Sequence, residues 1–101
     1  LKSKDISGIY VRSIQHEFAT GADTLIVTPL EGQMYQIVKR SGFQRIRDGK
    51  KLPYEHKVEN RTGRYDAKSG VIQELQKGKV ISFAPGENKL FLGGVPYKKE
   101  E

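Results

Sequence analysis

What most constrains this chain is its punctuation: turn-forming residues recur every ten residues or so, and short segments rich in β-branched and aromatic side chains lie between them. A strand of about six residues plus its turn fills such an interval, so the pattern points to a β-sandwich or barrel. Asp48-Gly49 is the strongest signal, because a type I′ hairpin turn needs positive φ at both central positions and these residues tolerate it. Thr20-Gly21-Ala22-Asp23, Glu31-Gly32, Asp66-Ala67-Lys68-Ser69-Gly70, Lys77-Gly78, Pro85-Gly86-Glu87-Asn88 and Gly93-Gly94 mark further turns.

The intervening segments read as strands. Gly8 to Val11 opens the first, extending toward Phe18, and Thr24 to Thr28 forms the second. Tyr35 to Lys39 and Phe43 to Arg47, with Ser41-Gly42 between them, are either one bent strand with a glycine bulge or two strands. Leu52 to Tyr65 follows, with Pro53 at an edge position, then Val71 to Gln76, Lys79 to Phe83, Lys89 to Leu92 and a short closing piece from Val95 to Lys98. Only Ile14 to Ala19 has any helical character. Sequential hairpins without a long return connection favour an up-and-down order over a Greek key. The expected fold class is therefore all-β: an antiparallel up-and-down meander of about eight strands, a small barrel or half-barrel. Glycines at 8, 42, 63, 78 and 93 supply the coiling that closes a sheet.

With 101 residues there is room for one core, so the expected organisation is a polar leader over residues 1–7 and a single domain over 8–101. No cysteine is present, which removes disulfides, thiolate metal sites and cysteine nucleophiles together. No apolar run approaches the roughly 18 residues of a membrane-spanning helix. The start at Leu1, followed by polar Lys2 to Asp5, is that of a mature or truncated product.

Ordinary catalytic patterns are missing. His16 adjoins Glu17 and His56 adjoins Glu55, but neighbours on a strand point to opposite faces and no third strong ligand is available. The carboxylates Glu17, Asp23, Glu55, Glu59, Asp66 and Glu74 read as solvated strand positions, no serine has a nucleophile-elbow context, and Gly93-Gly94 lacks the residues of a phosphate loop. We assign no catalytic residue, no cofactor and no metal ligand from the sequence.

A net charge of +6 is concentrated in residues 39–51, where six cations face one carboxylate. Lys39, Arg40, Arg45, Arg47, Lys50 and Lys51 are candidate anion-binding residues, and Phe43, alternating with Arg45 and Arg47, is a candidate stacking platform for a base or sugar. The plainer arrangement, and the expected one, has these cations solvated or paired across strands with Glu55, Glu59 and Glu74. The tyrosines at 10, 35, 54, 65 and 97 and phenylalanines at 18, 43, 83 and 91 are enough to line a ligand cavity, although small barrels usually spend such residues on packing.

Ile6-Ser7-Gly8-Ile9-Tyr10-Val11, Asp23-Thr24-Leu25-Ile26-Val27, Gly42-Phe43-Gln44-Arg45-Ile46-Arg47-Asp48-Gly49-Lys50 and Leu90-Phe91-Leu92-Gly93 before Tyr97 together resemble the small uncharacterised lipoprotein-like domains of Bacteroides-type bacteria, lipocalin-like (calycin-like) in shape. The resemblance implies a β-barrel, a periplasmic or outer-membrane-associated location in a Gram-negative envelope, attachment to the membrane only through a lipid anchor outside this chain, and no catalytic residues. The expected function is thus a non-enzymatic binding or interaction module of the bacterial envelope, its partner a small molecule or an envelope protein. Polyanion binding, to nucleic acid or an acidic glycan, through the 39–51 hairpin is the alternative, and an enzyme is the least favoured class.

Overall fold

A computed structural model describes residues 6–100, apart from the side chain of Pro85. Eight antiparallel strands follow one another around a closed barrel: β1 (Gly8–His16), β2 (Ala19–Pro29), β3 (Met34–Arg47), β4 (Lys50–Asp66), β5 (Val71–Glu74), β6 (Val80–Ala84), β7 (Lys89–Leu92) and β8 (Val95–Lys99). A 3-10 turn, Pro85–Glu87, links β6 to β7. Asp48 and Gly49 take φ of 52° and 77°, the positive pair that their turn requires. Residues 1–5 of the expected leader lie outside the described residues, whereas Ile6 is buried in the core and its carbonyl accepts a 2.8 Å hydrogen bond from the Tyr10 hydroxyl.

Alternation along the strands places Tyr10, Leu25, Val27, Ile37, Ile72, Ile81, Leu90, Leu92 and Tyr97 in one interior cluster, with Tyr35, Tyr65 and Phe83 packed against it. Leu25, Ile72, Ile81 and Leu90 are fully buried. Most of the tyrosines thus serve as packing, as expected of a barrel this narrow.

Three local expectations are corrected. The first hairpin turns at Glu17-Phe18, not at Thr20 to Asp23, because burying Tyr10 beside Leu25 fixes a register in which Gly21 is mid-strand. Gly21 is needed there for space: a Cβ would run into the Gly42 carbonyl oxygen and approach the Phe43 Cα at 2.6 Å. Ile14 to Ala19 accordingly forms the end of β1, the turn and the start of β2, with no helix. β3 is one continuous strand, and its irregularity falls between Gln44 and Ile46, opposite Leu52 and Pro53, rather than at Gly42. A bulge there accommodates a proline that cannot donate to the ladder.

Strand lengths decide the outline. β3 and β4 have 14 and 17 residues, while β5 to β8 have four or five, so the first four strands outrun the rest. The molecule measures 53 × 27 × 20 Å, and its radius of gyration is 15.1 Å, against about 13 Å for a compact chain of this length. It consists of a short closed barrel and a four-stranded blade, made from the distal halves of β1 to β4, projecting from it.

Closure of the barrel is brief. β8 meets β1 only at Tyr10–Lys99 and Val11–Lys98, with a further bond from the Glu100 amide to the Ile9 carbonyl at 2.7 Å. In this register the next hydrogen-bonded pair would set Pro96 against Ser13, and Pro96 has no N–H to give. The ladder ends there and β1 continues into the blade alone.

Candidate functional site

The face of the blade that continues the barrel interior carries Arg12 and Ile14 from β1, Asp23 and Ala19 from β2, Lys39, Ser41, Phe43 and Arg45 from β3, and Glu55, Lys57, Glu59 and Arg61 from β4, since the same parity of residues faces inward along each strand. Where barrel becomes blade, this face is polar. On one side Arg12 Nε lies 3.4 Å from Asp23 Oδ2, an ion pair without a hydrogen bond, and Asp23 is only 6% exposed. On the other side Arg61 bridges Glu59 and Glu74, the latter at 2.7 Å and 2% exposed, while Lys57 Nζ lies 3.4 Å from Glu59. Glu74 also accepts from the Lys77 amide at 3.0 Å.

These contacts fix protonation states. Partial burial pushes the Glu59 carboxyl up, but the hydrogen bonds and charges of Arg61 and Lys57 outweigh it and hold the group below its usual 4.5. The hydrogen bond with Glu74 holds the Arg61 guanidinium more firmly protonated, against the opposing effect of desolvation. Burial pushes the Tyr97 phenol up to about 12, and the neighbouring Asp23 carboxylate reinforces the shift through its charge and hydrogen bond.

Directly above this belt the blade holds a groove of about 290 Å³, lined by Ile14, Ala19, Asp23, Lys39, Ser41, Phe43, Lys57 and Glu59. Two apolar side chains and an aromatic ring thus share it with two lysines and two carboxylates. Glu59 is already engaged by Arg61 and Lys57, and Lys39 has no ion pair among the described residues.

The candidate cations do not converge. Lys39 and Phe43 line the groove, and Arg45 stands over the Phe43 ring at 5.9 Å while pairing with Glu55 at 3.0 Å. Arg40 faces the opposite side of the blade, in a second depression beside Tyr54 and His56, whose rings are 4.9 Å apart. Arg45 and Arg47 border a third depression at the tip with Phe18, Ile46 and Leu52, and Lys50 and Lys51 are exposed nearby. Of the expected cross-strand pairs, only Arg45–Glu55 draws on this set, because Glu59 and Glu74 are taken by Lys57 and Arg61. His16 and His56 sit on β1 and β4, at opposite edges of the blade.

Ile14, Ala19, Ser41 and Lys57 were not singled out from the sequence as a site. The signal that finds them is the shared inward parity of β1 to β4 once the register is known. The chain matches no protein-family model, no curated protein and no solved structure.

Proposed function

We propose that this protein is a non-enzymatic binding module that meets its partner with the blade, at the groove between Ile14, Lys39 and Phe43. The observation that carries this reading is the division of labour along one continuous face: its lower part is consumed by the packed core, while its upper part leaves Lys39 and Phe43 open beside apolar Ile14 and Ala19. At about 290 Å³ the groove is at the small end of ligand sites, so it suits a compact group that joins an apolar or aromatic body to an anion. A small carboxylate or a protein's C-terminal aromatic residue has that chemistry. Placement in a bacterial envelope is part of this proposal through the sequence resemblance alone, and a cysteine directly preceding Leu1 in the precursor would support it.

Titration with phenylacetate, followed by amide chemical shifts, tests the reading. We expect saturable shifts at Ala19, Lys39, Ser41 and Phe43, lost in Lys39→Glu. Shifts confined to residues 45–51, or none up to tens of millimolar, would sink it.

The second reading, polyanion binding at the tip, is favoured by one observation: Arg47, Lys50 and Lys51 have no ion pair among the described residues, and Arg47 shares the tip depression with Phe18, which is 66% exposed. Heparin chromatography separates the two, because a focused polyanion site loses its steep salt dependence when Arg45 and Arg47 become Ala. We expect little change, since Arg45 is already neutralised by Glu55 and the remaining cations are dispersed.

A further inference from the structure

The distal half of β4 is an open strand edge. The Tyr65 amide bonds to the Gln33 carbonyl of the β2–β3 connection, and the Thr62 carbonyl accepts from the Leu75 amide at the end of β5. Along β4, therefore, odd-numbered residues turn their backbone groups toward β3 and even-numbered residues turn theirs the other way. β5 pairs with β4 only from Gly63 onward, apart from the Leu75–Thr62 bond. The backbone groups of Tyr54, His56, Val58 and Asn60 consequently face a side that carries no strand among the described residues. The opposite edge of the blade, on β1, offers only Ser13 and Gln15 in the same way.

Side chains along this edge differ in character between its two faces. On the outer face Tyr54 and Val58 are 53% and 56% exposed, on either side of His56. On the groove face Glu55, Lys57 and Glu59 alternate in sign, Glu55 also pairing with Arg45 and Glu59 with Lys57 and Arg61 within the chain. Exposed edges are usually blunted with charge, most often lysine, so that like strands repel. Alternating signs meet their opposites when the second strand runs antiparallel about a two-fold axis that passes through a residue between the charges.

We propose that two copies of this chain associate through β4, antiparallel and centred on His56, making one continuous sheet from the two blades. The register is chosen by charge and by the exposed Tyr54 and Val58. Backbone parity allows an axis through any residue of this stretch, and axes through His56, Lys57 or Val58 keep the ladder longest. Centred on Lys57, it sets Lys57 against Lys57 and Glu55 against Glu59, like charges throughout. Centred on Val58, it also opposes Lys57 to Glu59, but it leaves Tyr54 facing Thr62 of the other copy, whose carbonyl already accepts from Leu75, so the exposed Tyr54 stays outside the ladder. Centred on His56, it sets Glu55 against Lys57 twice on the groove face and Tyr54 against Val58 twice on the outer face. Tyr54, His56 and Val58 of each copy then exchange both backbone hydrogen bonds. The bulge at Leu52-Pro53 ends the regular ladder on one side and β5 ends it on the other. So short a ladder buries less than the roughly 1,200 Å² of a standard interface, and the association is accordingly weak and concentration-dependent.

Sedimentation equilibrium from 10 to 500 µM, with hydrogen exchange at both ends of that range, tests this on the whole chain. We expect the weight-average mass to rise from 11.4 kDa toward twice that value. The amides of Tyr54, His56 and Val58 should gain protection with concentration, while those of Ser13 and Gln15 should not. Val58→Pro removes a donor only from the open edge and leaves the β3 ladder intact, so it should hold the chain monomeric with its circular dichroism unchanged. Lys57→Glu should weaken association at least tenfold, and Glu55→Lys combined with Lys57→Glu should restore it by exchanging the signs. A monomer at 500 µM, a dimer that survives Val58→Pro in folded protein, or a double variant no better than Lys57→Glu would each overturn the proposal.

Discussion

Gly63 lies so close to Ile72 that a Cβ on the glycine would overlap the Cγ2 methyl of the isoleucine. The Gln73 carbonyl at 3.1 Å and Ile37 Cδ1 at 3.4 Å close the other sides of that space. Gly63 is the point at which long β4 passes from the blade into the barrel and takes β5 as a neighbour.

Gly63→Ala is therefore an overpacking mutation in a site with little room to relax, costing about 1–3 kcal/mol. For a domain of this size that lowers the melting temperature by roughly 5–20 °C. Gly42→Ala is the control: its added methyl meets the ring edge of Tyr54 at 3.1 Å, an exposed side chain that can swing aside. Thermal denaturation should separate the two variants clearly, and equal melting temperatures would contradict this packing.

Arg61 holds two carboxylates at the junction, one of them nearly inaccessible. Arg61→Met strands Glu74 without its guanidinium and should cost about 3–5 kcal/mol near neutral pH. Arg61 also depresses the Glu59 carboxyl, and the stabilisation from that Arg61–Glu59 pair is present above about pH 4.5 and is lost as the pH falls through the lower, folded value. Urea denaturation should thus show the gap between wild type and Arg61→Met narrowing below pH 4.5. A gap that widens on acidification would refute the pairing.

Tyr97 supplies the alkaline counterpart. Its phenol is raised to about 12, so the neutral form is favoured by the fold. The resulting stabilisation is whole below about pH 10, the unfolded value, and disappears as the pH climbs from there through about 12; a shift of this size is worth on the order of 2–3 kcal/mol. Tyr97→Phe should lose less stability over that window than wild type does. Phenolate absorbance should show a component that ionises only near pH 12 and is missing from Tyr97→Phe, and a substitution that removes no such late component would count against the burial of Tyr97 beside Asp23.

Much of the architecture is legible in the residues because β-structure is written locally. The Asp48-Gly49 turn, the Lys89–Leu92 strand and the meander order each follow from a short window of turn chemistry and period-two alternation. The turn at Glu17-Phe18 is not legible in that way. Gly21 looks like a turn glycine, and its actual service, yielding space to the Gly42 carbonyl, depends on a strand some twenty residues away. The groove is hidden for the same reason. Alternation assigns Lys39 and Phe43 to one face, but the register with β1, β2 and β4 is what brings Ile14, Ala19 and Lys57 beside them.

By itself the sequence determined that this chain is an antiparallel meander with one apolar face, since turn residues and alternation act within a few residues of one another. Tertiary structure decided how far each strand runs beyond its neighbours, and therefore that a blade exists at all. Pro96 ends the β1–β8 ladder only because closure delivers it to Ser13. Glu59 and Glu74 are spent on Arg61 only because β4 and β5 meet at Gly63, leaving Lys39 open in the groove. Such pairings join residues far apart along the chain, and no local pattern encodes which of several equally charged partners the curvature of the sheet will bring within reach.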